Sequence, residues 1–330
     1  MRKNLFFFVI GIAATVVRAA VDMSLNDAYL KGADAKILYR VVNDEGDPVA
    51  NANVHIWFRT THPKLIVEDW VVNTDSNGMF VAAHKTNDRL SCGIDKAGCY
   101  HTFDRVTFSD PRVYTCAIDG KWTPYGNTRT VILKKIKDPK TLVCWNKTKK
   151  YVIPVYDTWL AFDFERHQFV APYGEGKNPD VLLRFTLNNP SRKDYHMKMD
   201  VSFTNMPYAG AYLMKKDMFS DFKNVYHADT NENYQQTFGY SFDRYPQKRP
   251  IVCELGEDEY LVFRTRTKVD DKGRLLSANY GVLYGPWSFV GPGGMKISFL
   301  AFNPTPNDTN LEFDPNRNLY QGKKGRGMIP

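Results

Sequence analysis

Residues 36–43 read KILYRVVN, and from there the chain alternates apolar and polar side chains with period two for most of its length. Ile37, Tyr39 and Val41 fall on one side, Lys36, Leu38 and Arg40 on the other; Val54, Ile56 and Phe58 alternate with His55, Trp57 and Arg59. Successive side chains of a strand point to opposite faces, so this pattern predicts strands with one buried face. Similar runs occupy 65–73, 78–85, 101–108, 112–118 and 128–136, separated by breakers such as TDSNG, SDP and DGKWTPYGN. The second half continues with AFDFERHQF, VLLRFTL, MKMDVSF, EYLVFRTRTKV and GMKISFLAF, and VDDKGRL reads as a hairpin turn. Helical periodicity is nearly absent; AYLMKKDMFSDFKN at 211–224 is the one stretch suited to a helical turn or two. With 19 Tyr, 21 Phe and 6 Trp, residues that suit a pleated surface, the expected class is all-β.

The first twenty residues have a different grammar. Arg2 and Lys3 precede an apolar run from Leu5 to Val17, and small residues follow at Ala19 and Ala20. That arrangement predicts a secretory signal peptide at 1–20, cleaved after Ala19 or Ala20. The run would span only about 20 Å as a helix, short of a ~30 Å hydrocarbon core. No later segment is long and apolar enough to predict a transmembrane helix, so the expected location is secreted, periplasmic or cell-surface. The formal net charge of +8 falls to +5 once Arg2, Lys3 and Arg18 leave. Such a balance does not call for nucleic acid.

Acidic and amide residues cluster around glycine in NDEGDPV (43–49) and TDSNG (74–78). Asp and Asn bond their own backbone two residues on and glycine accepts positive φ, so Asp44, Gly46, Pro48, Asp75 and Gly78 are expected to make turns. A calcium loop would need a bidentate Glu that DSNG lacks. The order V-x-N-D-x-x-G-x-P-V-x-x-A-x-V followed by T-D-x-x-G-x-F resembles the carboxypeptidase regulatory-like domain, a transthyretin-like β-sandwich, and is similar to bacterial Ig-like domains. Val42, Asp44, Gly46, Pro48, Val49, Ala52 and Val54 carry the first part of the match, and Thr74, Asp75, Gly78 and Phe80 the second. The resemblance covers residues 36–136, with TVILKKI at 130–136 as its closing strand and an insertion at 86–127. It implies a fold; modules of this kind support surface proteins, transporters and enzymes alike. The domain plan is therefore a transthyretin/Ig-like sandwich at 21–136, a lysine-rich linker at 137–150, a larger β-sandwich or jelly roll at 151–320 and a basic tail at 321–330.

Export makes disulfides permissible. Cys92 and Cys99 flank GIDKAG, a loop able to close, and Cys116 with Cys144 would close 29 residues, contributing about 3–4 kcal/mol. Five cysteines leave one thiol over, Cys253 among the choices. No C-x₂-C pair or histidine pair has metal-ligand spacing, and no cofactor is implied.

Catalytic motifs are missing too. G-x-S-x-G and H-E-x-x-H are absent, and GEGKN at 174–178 has Ala171 and Asn178 where a phosphate loop needs Gly and Ser or Thr. Asp163 and Glu165, read as i and i+2 on one strand, would stand about 6.5–7 Å apart, the separation used by inverting glycosidases. A solvated strand face gives the same pattern. Trp122, Tyr125, Tyr173, Tyr284 and Trp287 lie beside Gly and Pro, as loop aromatics that stack on sugar rings do. The expectation is a non-enzymatic exported module that binds or builds at a surface, with carbohydrate or another surface protein as partner. A carbohydrate-binding protein or accessory to polysaccharide breakdown is the alternative, and a glycosidase using Asp163 and Glu165 ranks third.

Overall fold

The computed structural model describes residues 27–320 except 29, 62, 109–115, 146–147, 189–190, 192 and 205–206. The expected signal peptide at 1–20 and the expected tail at 321–330 lie outside these residues. The chain divides into two compact units, one ending at Ile136 and taking in Phe219–Asp221, the other holding Lys137–Met218 and the residues from Phe222 onward. Both units are built from strands, so the chain is all-β, as its alternation predicts.

The first unit contains β1 (Ala33–Val42), β2 (Asn53–Thr60), β3 (Ile66–Asn73), β4 (Met79–Thr86), β5 (Arg89–Asp95), β6 (Thr102–Thr107), β7 (Cys116–Ile118), β8 (Lys121–Thr123) and β9 (Asn127–Ile132). One sheet runs β4-β1-β8-β7 with β9 also on β1; the other runs β3-β2-β5-β6. Ile37, Tyr39 and Val41 pack with Val54, Ile56, Phe58, Leu90 and Ile94 in one core. Each such side chain contributes about 1.5–3 kcal/mol on burial. The core also holds a polar triad. Tyr39 donates to Asp104 Oδ2 at 2.8 Å, and Arg129 grips both Asp104 oxygens at 2.7 and 2.8 Å, so the buried carboxylate is satisfied.

The two glycine clusters are turns, with one change of actor. Asn43 Oδ1, rather than Asp44, accepts the amides of Glu45 and Asp47, while Asp44 accepts from Lys135 N at 3.3 Å. Asp75 Oδ1 accepts the amides of Asn77 and Met79. Gly46 and Gly78 hold φ of 88° and 71°, and Pro48 bridges to Val42.

The second unit contains β10 (Val143–Trp145), β11 (Lys149–Val152), β12 (Trp159–Asp163), β13 (Gln168–Phe169), β14 (Val181–Asn188), β15 (Tyr195–Phe203), β16 (Gly210–Lys215), β17 (Thr237–Arg244), β18 (Ile251–Cys253), β19 (Glu259–Val269), β20 (Leu275–Phe289) and β21 (Gly294–Asn303). Its sheets run β10-β21-β20-β19-β16, with β11 also on β21, and β13-β12-β14-β15-β17-β18. Phe162, Leu183, Phe185, Met199, Phe263 and Phe302 fill the space between them. A second cluster covers the other face of the β19–β20 sheet, where Leu142, Tyr234, Leu311 and Phe313 pack on Tyr260, Val262, Tyr280 and Val282. The YLVF run of β19 is buried on both faces for this reason.

Three expectations are overturned here. Residues 137–150 are not a solvated linker: the amides of Lys137 and Asp138 donate to the carboxylate of Glu312, and β10 and β11 pair with β21. Residues 210–215 form β16 instead of a helical turn, because pairing with β19 satisfies their backbone. Cys92, Cys99, Cys144 and Cys253 are free thiols. Cys92 is a free thiol inside the first core and Cys99 is a free, half-buried one; Cys144 is free and buried, which excludes its pairing with Cys116. Inward strand positions carry Cys92 and Cys144 away from the loops in which closure was expected.

Candidate functional site

A concavity with mixed chemistry lies in the second unit, along one edge of its sandwich. There β16 ends one sheet and β17 with β18 ends the other. The groove has a volume of about 550 Å³ and is lined by Tyr212, Leu213, Glu232, Asn233, Gln235, Phe238, Tyr240, Glu254, Leu255, Glu259 and Leu261. Segment 232–235 forms one wall because Gln235 exchanges two backbone hydrogen bonds with Ala211. Gly210 makes that approach feasible: a Cβ there would stand 2.5 Å from the Gln235 carbonyl oxygen.

The carboxylates of the groove are not equivalent. Burial raises the Glu254 pKa above its ordinary value, against the hydrogen bond from Phe289 N at 2.9 Å. Lys215, at 2.8 Å, and the amide of Gly256 hold Glu259 below its ordinary value. Glu232 is exposed at the rim. Tyr212 accepts the amide of Asp229 through its hydroxyl, and Tyr240 packs its ring 5.8 Å from Trp287. No lysine, arginine or histidine is among the lining residues. Sequence reading missed this site because its residues come from five separated segments.

The acids singled out from sequence have another role. β12 stops at Asp163, so Asp163 and Glu165 do not share a strand face; residues 164–167 turn instead, with Asp163 Oδ1 accepting from Arg166 N. Asp163 is buried, and its Oδ2 accepts the amides of Lys177 and Asn178, so the GEGKN loop cradles a carboxylate of its own chain. Arg266 then reaches Asp163, Glu165 and Asp180 at 3.3, 2.5 and 2.9 Å. Burial raises the pKa of Asp180, and Arg266 opposes the rise. Held in this way, Asp163 and Glu165 do not face a substrate space together.

His167 closes the same turn at φ 53°. Its ring lies 4.7 Å from that of Trp145, and neither ring nitrogen has a partner among the described residues. Burial, reinforced by nearby Lys149, lowers its pKa to about 3.

The proposed stacking aromatics scatter. Trp122 is fully buried on Phe108 and donates to Thr86 O at 2.7 Å; Tyr284 and Trp287 are also core residues. Trp122 faces the first unit's core, and Tyr284 and Trp287 lie on β20, whose sheet is covered on both faces. Tyr125 and Tyr173 are 43% and 45% exposed, one in each unit. Among the described residues no group of His, Cys, Asp and Glu could hold a metal ion. No helix among them is long and apolar enough to cross a membrane.

No protein-family model and no curated protein matches this sequence. Among solved structures, the 3-chlorocatechol 1,2-dioxygenase of Rhodococcus opacus 1CP is similar over 32% of this chain and 60% of its own, at 15% identity and a TM-score of 0.25. For the catechol 1,2-dioxygenase of Acinetobacter radioresistens the values are 32% and 53%, 14% and 0.26. The match thus spans less than two thirds of either enzyme. The major pilin SpaD of Corynebacterium diphtheriae is similar over 87% of this chain and 85% of its own, at 11% identity and a TM-score of 0.21. At such scores these similarities carry no argument about what the chain does.

Proposed function

We propose that the protein is an exported, non-enzymatic β-sandwich binding module, and that the edge groove of its second unit receives a saccharide. One observation carries the reading: three aromatic rings, two amides and three carboxylates line a single groove. Its volume falls in the ligand-pocket range of roughly 300–1,000 Å³. A pyranose presents a C–H face to rings such as Phe238 and Tyr240 and hydroxyls at its rim. Those hydroxyls donate to Glu232, Glu254 and Glu259 and accept from the amides of Asn233 and Gln235. Export rests on the N-terminal grammar alone.

A glycan array followed by calorimetric titration tests this. Phe238→Ala and Asn233→Ala should each weaken binding of the selected sugar about tenfold or more, which is about 1.4 kcal/mol. Absence of saturable binding across all sugar classes sinks the proposal.

A second reading has a specific observation in its favour. Glu254 is shifted up and Glu259 down within one groove, the split that separates a general acid from a base. A glycosidase of this kind would release product from the bound sugar and lose that activity in Glu254→Gln. Intact ligand recovered after long incubation leaves the binding module.

A further inference from the structure

The outer face of the β3-β2-β5-β6 sheet carries a second surface, independent of the groove. Its cross-strand rows follow from the register. Val71, His55, Gly93 and Phe103 form one row, Asp69, Trp57, Ser91 and Arg105 the next, and Val67, Arg59, Arg89 and Thr107 the third. Three arginines therefore surround Ser91 on the side of the sheet where Trp57 lies.

Two features of this face cost the fold stability. Arg59 stands directly opposite Arg89, and like charges so placed repel. Arg89 Nε is buried without a hydrogen-bond partner among the described residues, while Arg59 is ion-paired with Asp88 at 3.3 Å. A buried donor of this kind is expensive until an acceptor reaches it. Beside the arginines, Trp57 fills the space over Gly93, where a Cβ would come within 3.0 Å of its ring. The His55 ring packs tilted against Trp57 at 4.1 Å, Phe103 lies 6.3 Å from Trp57, and Arg105 sits over Phe103 at 5.2 Å.

The geometry points to an anionic polysaccharide as the occupant, its carboxylate or sulfate groups on Arg59, Arg89 and Arg105 and its sugar rings on Trp57 and Phe103. The charge pattern favours this polymer over nucleic acid. Asp69 and Asp95, each held by a histidine at 2.8 Å, share the face. A glycan carries hydroxyls beside its anionic groups that can donate to these two carboxylates, whereas a DNA strand has no hydroxyl between its phosphates to do so.

Affinity electrophoresis of the full chain through gels containing polygalacturonate, heparin, neutral dextran or single-stranded DNA tests the assignment. Retardation by polygalacturonate identifies carboxylate as the recognised group, and retardation by heparin identifies sulfate. Trp57→Ala and Arg105→Gln should each lower the retardation constant at least fivefold, and added salt should weaken binding less in Arg105→Gln than in the parent. Tyr173→Ala, an exposed residue that lines neither surface, should leave retardation unchanged, and sugar titration of the groove is read separately, so failure here and failure of the groove reading are separable. Arg105→Gln alters an exposed side chain, and an unchanged thermal midpoint certifies its folding. Retardation by none of the polymers, by DNA more than by either glycan, or equally in parent and variants overturns the inference.

Discussion

Arg266 Nε donates to Asp180 Oδ1 at 2.9 Å, joining residues 86 positions apart in the sequence. The contact exists because β19 breaks register between Thr265 and Lys268, which leaves Arg266 at φ 53° with its guanidinium turned toward β12. Asp180 is tied further by Phe164 N at 2.9 Å and Thr265 Oγ1 at 3.2 Å. One cation thus serves two fully buried carboxylates and a partly exposed one.

Removing that cation strands the acids. Arg266→Met should destabilise the second unit by about 3–5 kcal/mol, the cost of leaving a buried charge unpaired. Arg266→Lys should recover little, since an ammonium cannot fork across Asp180 while reaching Glu165. Urea unfolding measures both; a loss below about 1 kcal/mol, the level of an exposed pair, would mean that solvent reaches these carboxylates.

His167 sets a pH dependence with a definite sign. Its folded pKa of about 3 lies below the ordinary 6.5, so between these values the unfolded chain binds a proton that the folded one refuses. Stability is complete above pH 6.5 and is lost progressively as pH falls toward 3. Asp180 works in the opposite sense, because its raised pKa lets the folded state take up a proton first. The difference between the parent and His167→Asn, which tolerates positive φ, isolates the imidazole. The asparagine variant should lose less stability between pH 7 and pH 4, and equal slopes in chemical denaturation would contradict the assignment.

Gly46 and Gly78 separate backbone strain from steric exclusion. A Cβ on Gly46 meets nothing within 4 Å, whereas one on Gly78 would stand 2.3 Å from the Val41 carbonyl oxygen. Gly46→Ala should cost about 1–2 kcal/mol for the left-handed conformation alone. Gly78→Ala should cost clearly more, because the turn must also part from β1. Thermal melts of the two variants that coincide would show that the hairpin yields freely.

The thiols should react in order of exposure. Cys253 is exposed, Cys99 half-buried, and Cys92 and Cys144 are buried, with burial pushing Cys92 up to about 12. A disulfide reagent at neutral pH should modify Cys253 first and Cys99 more slowly, reaching Cys92 and Cys144 only in denaturant. Mass spectrometry of peptides from the unreduced protein that shows Cys92 linked to Cys99 would overturn the free-thiol state.

The strand class, the glycine turns and the inward faces of β1 and β2 were legible in the sequence, because alternation and turn chemistry are local. Two-residue periodicity states which side chains share a face, and Gly46, Gly78 and Asp75 act within a few residues of themselves. What lies behind a face is not local. Trp122 and Tyr125 sit three residues apart beside the same glycines, yet one is in the core and the other 43% exposed. Asp163 looked like a solvated acid until Arg266, 103 residues onward, arrived to bury it. The groove draws on segment 232–235, strands β16, β17 and β19 and the two residues after β18, and the arginine-rich face depends on the register of β2, β5 and β6. Charge, burial and concavity at these places come from long-range strand pairing, and only the tertiary structure decided them.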